Sequence, residues 1–129
     1  MQLLIVDDDQ VVLQACKRIL DSTVHTVLTA SSVSEALHVF EHNPTDLIIV
    51  DIKMPEEDGL SLIRKIKDNG SPVPILVMSG YPTSETISTS LATGAKAFLP
   101  KPFTPDELIQ AIESLVQGET NGNKEDSSH

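Results

Sequence analysis

LIIVDIKMPEEDG, residues 47–59, carries a carboxylate at the end of a short apolar run. Leu47, Ile48, Ile49 and Val50 are too few for a buried helix and are rich in β-branched side chains. They read as a strand covered on both faces, the mark of a parallel sheet. Asp51 arrives where the run ends, which puts its carboxylate on the rim of the sheet, where open α/β folds gather their ligands. Pro55 and Gly59 shape the loop that leaves it. From this stretch alone, an Asp that merely caps a turn is the plain alternative.

The same grammar repeats on either side. Residues 3–6 form a second apolar run, closed by Asp7, Asp8 and Asp9. Val12, Cys16, Ile19 and Leu20 then recur at helical spacing, with Asp9 placed to cap the helix start. Residues 24–29 read as a second strand. Residues 31–42 form an amphipathic helix with a Ser32–Glu35 capping box, stopped by Asn43 and Pro44. The central strand, 46–51, follows. A third helix carries Leu60, Ile63 and Ile66, with Asp58 near its start and Asn69 and Gly70 at its end. Residues 74–79 are a fourth apolar run ending in Ser79. The helix over 83–93 is the weakest, with only Ile87, Leu91 and Ala92 as apolar anchors, and is expected to be mobile. A short strand at 96–99 leads through Pro100, Lys101 and Pro102 to a last helix holding Leu108, Ile109, Ile112, Leu115 and Val116. Five strands alternating with five helices imply an α/β fold with helices on both faces of a parallel sheet. The domain is set at 1–117. The polar stretch 118–129, without a large apolar residue, is expected to be a disordered tail or linker.

With 129 residues, 40% of them apolar, the chain has enough for one packed core. Nine basic against nineteen acidic residues leave a formal net charge of −10, which argues against nucleic acid or an anionic membrane as a partner. The single cysteine, Cys16, lies in a helical pattern and reads as a small core residue. The amino-terminal MQLLIVDDD has no basic segment, and its apolar run is broken by acid. A soluble, cytoplasmic protein is expected.

Parallel strands share one carboxyl rim, so Asp7 to Asp9, Asp51, Ser79 and Lys101 converge there. Two carboxylates about 4 Å apart repel by roughly 4 kcal/mol at an effective dielectric near 20. A divalent cation relieves that repulsion, and oxygen-only ligands suit magnesium. The Lys101 ammonium and the Ser79 hydroxyl complement phosphoryl oxygens, which points to phosphoryl transfer.

The acid pair in VDDD, the DIKMPEEDG loop, the hydroxyl residue in VMSG and the FLPKPF segment, in that order, resemble a bacterial response-regulator receiver domain. That family is the phospho-acceptor module of two-component signalling. The resemblance covers residues 2–117 and implies a flavodoxin-like, doubly wound (βα)5 fold with strand order 2-1-3-4-5. It implies that Asp51 is the phosphorylated residue, that Asp8 is the main carboxylate ligand of magnesium, and that Asp7 helps through water. Lys53 would lend its backbone carbonyl to the metal, Ser79 and Lys101 would bind phosphoryl oxygens, and the Lys101–Pro102 bond would be cis. Ser79 and Phe98 would form the switch that reshapes the surface of helix four, strand five and helix five. Phe98 stands where the family often has Tyr, which favours inward packing. Lys53 and Tyr81 would tune how long the phosphoryl group lasts. The implied partners are a sensor histidine kinase or phosphotransfer protein and a downstream output domain or protein, with a phosphorylation-dependent homodimer left open. Receivers catalyse only their own phosphorylation and dephosphorylation, so the chain is classed as a switch.

Two rivals stand beside this. DDDQV after a strand fits the nucleophile motif of haloacid-dehalogenase-type phosphatases, with Asp7 as nucleophile and Asp9 as acid. That reading leaves Asp51 and its loop unexplained. The other is an interaction module that is never phosphorylated, which has no need of every acid, hydroxyl and lysine. His38 and His42, four apart on one helix, are assigned no site. No output domain follows residue 117, so either a free-standing receiver or a piece of a larger regulator or hybrid kinase is expected.

Overall fold

The structure, a computed structural model, describes residues 1–54, 57–80 and 82–127, with side chains as far as residue 116. In chain order the elements are β1 (Gln2–Val6), α1 (Gln10–Asp21), β2 (Thr26–Ala30), α2 (Val33–His42), β3 (Leu47–Asp51) and α3 (Gly59–Asp68). They continue with β4 (Ile75–Ser79), α4 (Ser84–Thr93), β5 (Ala97–Pro100) and α5 (Pro105–Ser127). The strands form one parallel sheet in the order β2-β1-β3-β4-β5, the flavodoxin-like topology expected.

Strand alternation divides the core in two. Leu3, Ile5, Leu47, Ile49, Leu76 and Met78 point to the face covered by α1 and α5, where they meet Leu13, Cys16, Leu20, Leu108 and Ile112. Leu4, Val6, Ile48, Val50, Ile75 and Val77 point to the other, against Ala36, Leu62, Ile63 and Ile66 of α2 and α3. β1, β3 and β4 sit inside the sheet and are buried on both faces, which is why their sequences are continuous apolar runs.

Caps place the helix starts. Asp9 accepts from the Val11 amide at 2.9 Å, and Asp58 from the Ser61 amide at 3.1 Å. Thr104 and Glu107 form a reciprocal capping box ahead of Pro105. The box expected at α2 is only half made. Ser32 Oγ accepts from the Glu35 amide at 3.1 Å, but the Glu35 carboxylate turns to the amide and hydroxyl of Ser31. The second strand begins later than expected, at Thr26. Thr23 returns its amide to Leu20 and accepts from the His25 amide, so residues 23–25 make a turn and Val24 is 90% exposed. Helix α5 continues beyond Val116, which packs against the core, into the polar stretch set apart as a tail.

Candidate functional site

The carboxyl ends of β1, β3, β4 and β5 lie along one edge of the sheet and carry the acidic, hydroxyl and lysine side chains together. Asp7, Asp8 and Asp51 each offer a carboxylate oxygen, and these atoms lie within 4.8 Å of one another. Asp7 is fully buried, Asp51 is 6% exposed, and Asp8 faces solvent. Ser79 ends β4 next to the Asp51–Met78 pairing and is 1% exposed. Its carbonyl accepts from the Lys101 amide at 2.8 Å, which ties the end of β4 to the segment after β5. The Lys101–Pro102 peptide is cis, as the resemblance implied.

One contact at this edge was not foreseen. Lys101 Nζ donates to Asp7 Oδ2 at 2.7 Å and lies 3.4 Å from Asp51 Oδ2. Beside the water-mediated role at a metal that the resemblance implies for Asp7, one of its oxygens accepts from Lys101 and the other from the Asp9 amide at 2.9 Å. No local signal announces this ion pair, since its partners stand 94 residues apart.

Burial and the neighbouring charges together set the protonation. Burial, followed by the neighbouring charge of Asp7, pushes the Asp51 carboxyl above its ordinary range, and Lys101 and the Lys53 backbone amide offset only part of that. Burial alone pulls the Lys101 ammonium down, but its hydrogen bond to Asp7 and the charges of Asp51 and Asp7 outweigh it, so the net movement is upward. The Asp51 movement reflects burial first and the Asp7 charge second, and the Lys101 movement reflects the two acids beside it. Three hard oxygen donors, with no nitrogen or sulfur ligand among them, fit magnesium.

Lys53 is exposed and, with Ile52, Met54 and Asp58, lines a cleft of about 440 Å³ beside Asp51. Phe98 is half-buried on the face covered by α2 and α3, against the cluster that includes Ile75 and Val77. Tyr81 and Pro55 lie outside the described residues. His38 and His42 are exposed and face each other at 4.4 Å, the His42 ring nitrogen Nδ1 meeting the His38 carbonyl at 2.8 Å.

Residues 3–113 match the family model described as "Response regulator receiver domain". The chain belongs to the response-regulator receiver family. The Response regulator MprA of Mycobacterium sp. (strain KMS) is 32% identical over 117 residues, covering 91% of this chain and 51% of that protein. That of Mycobacterium leprae (strain TN) is 33% identical over the same length. The receiver therefore spans about half the length of these curated relatives. Among solved structures, a CheY-like receiver domain protein from Methanospirillum hungatei superimposes with a TM-score of 0.86 at 30% identity, covering 94% of this chain and 97% of that one. NtrX from Brucella abortus gives 0.85 at 30% identity, covering 98% of this chain and only 29% of its own. Among the described residues no helix is long and apolar enough to cross a membrane.

Proposed function

We propose that this receiver is a phosphorylation-activated switch that takes a phosphoryl group onto Asp51 from a histidine kinase or a phosphotransfer protein. The observation that carries this is the meeting of three carboxylates and one lysine ammonium at a single rim. In the transfer an Asp51 carboxylate oxygen forms the new bond to phosphorus. The bond from phosphorus to the donor's nitrogen or oxygen breaks, and the leaving group takes up a proton from solvent. Asp8 and Asp51, with the Lys53 carbonyl and with Asp7 at one remove, would hold a magnesium ion, which would supply positive charge against the acid cluster and the incoming oxygens. Lys101, whose ammonium sits between Asp7 and Asp51, is placed to give hydrogen bonds to the phosphoryl group once it arrives. Ser79 supplies its hydroxyl from the adjacent strand.

The product adds negative charge at the end of β3. Ser79 moves toward it, and Phe98 takes the space released, which alters the face formed by α4, β5 and α5 that an output domain or protein would read. Lys53 and Tyr81, each two residues past a site residue, modulate the lifetime of the phosphoryl group. The NtrX likeness and the half-length coverage of the MprA relatives favour a separate output partner or domain. Phosphorylation-driven homodimerisation is one route by which the altered face would act. A phosphatase using Asp7 as nucleophile fits less well, because Asp7 is fully buried and engaged by Lys101 while Asp9 caps α1.

Incubation with magnesium and acetyl phosphate tests the reading by intact mass. Wild type is expected to gain one phosphate and Asp51→Asn none. Turnover that survives Asp51→Asn but not Asp7→Asn would establish the phosphatase, and a protein that takes no phosphate would be a phosphorylation-independent interaction module.

A further inference from the structure

The chain leaves β3 at Asp51 and returns at Gly59 to begin α3, so the first residue of that helix lies against the last residue of the strand. The Gly59 amide donates to the Ile52 carbonyl at 2.9 Å, closing the loop. Gly59 is buried, and a Cβ built on it would stand 2.3 Å from the Asp51 carbonyl oxygen, 3.1 Å from its carbon and 3.0 Å from Val50 Cγ2. Its φ lies outside the left-handed region, so backbone conformation does not demand glycine. Space does, and the atom that demands it belongs to the backbone of Asp51.

We propose that Gly59 is a positioning residue for Asp51. Its lack of a side chain lets the start of α3 press on the Asp51 peptide and thereby sets where the acceptor carboxylate points. The far side of the same turn is held independently. Asp58 caps the Ser61 amide, Glu57 accepts from Lys65 at 2.6 Å and from the Ser61 hydroxyl, and Leu62, Ile63 and Ile66 anchor the helix in the core with no exposure. α3 therefore cannot simply drift outward to admit a methyl group. The Asp51 peptide and the helix would have to part by roughly an ångström, a displacement of the kind that costs a reaction about a hundredfold when it falls on the reacting group. The Lys101–Asp51 separation of 3.4 Å and the shared acid cluster depend on the same peptide.

This inference rests on Asp51 being the phosphoacceptor, and the test separates the two. The phosphorylation rate constant of Gly59→Ala is measured at saturating magnesium and phosphoramidate, well below the melting temperature, beside wild type and Ser61→Ala. Ser61→Ala loosens the same helical turn without touching Asp51. A fall of about 10- to 100-fold in Gly59→Ala, with Ser61→Ala near wild type and far-UV dichroism retained, is expected. Where Gly59→Ala folds poorly, trimethylamine N-oxide restores the native state, and a rate that stays low once the protein is folded supports positioning. A rate that returns with folding overturns it, as does a Gly59→Ala rate equal to wild type. A wild type that takes no phosphate overturns the reading of Asp51 and this inference with it.

Discussion

Asp51 holds its negative charge at a cost in the absence of a cation. Its carboxyl is raised first by burial and then by Asp7, so the folded protein binds that proton more tightly than the unfolded chain does. Stability from this group is fully present below the unfolded carboxyl range, near pH 4, and is lost as pH rises through the raised folded value. Asp51→Asn removes the loss. In magnesium-free urea denaturation, Asp51→Asn is expected to be the more stable protein at pH 7, with the gap closing toward pH 4, and a gap of constant size would refute the assignment. Cys16 behaves as the sequence suggested, since burial and then Asp7 push its thiol up to about 11 and leave it protonated at neutral pH. Asp51 and the Asp7 to Asp9 cluster were legible because each closes a local apolar run. The Lys101–Asp7 pair was not, because nothing within one strand tells a lysine which of several acids it will meet.

Among the elements, α4 is set apart by how little of it is buried. Ser90 is its one fully buried residue, and Leu91 is 44% exposed. In α3, by contrast, Leu62, Ile63 and Ile66 are all fully buried. The helix is capped by Thr83 at its start and ends at Gly94, where φ is +135° and a Cβ would crowd Lys67 and Ile63. Few buried apolar contacts mean a low free energy of local opening. Amide hydrogen exchange is therefore expected to be about ten times faster or more in α4 than in α3, and equal protection would remove the basis for a mobile output face. The weakness of α4 was readable from its Ser and Thr content. The delayed start of β2 was not, because β-branched Val24 has the right propensity for a strand and yet the Thr23 turn claims its backbone.

For the molecule as a whole, magnesium held at the acidic rim, as proposed, would couple stability to the cation. A ligand that binds only the folded state stabilises it by about 2.7 kcal/mol at a hundred times its dissociation constant. Thermal denaturation of the wild type is expected to shift upward by several degrees with millimolar magnesium, while Asp8→Asn should lose most of that shift. An identical rise in both would place the cation elsewhere. The sequence alone determined the number and alternation of elements, the cap at Asp9 and the residues that end β1, β3 and β4, because periodicity and capping act over a few neighbouring positions. Only the tertiary structure decided that Lys101 would rest on Asp7 and that Gly59 would abut the Asp51 carbonyl. Those contacts depend on strand order, on the reach of a long side chain across the sheet edge and on the direction in which α3 returns, none of which is written in a local pattern.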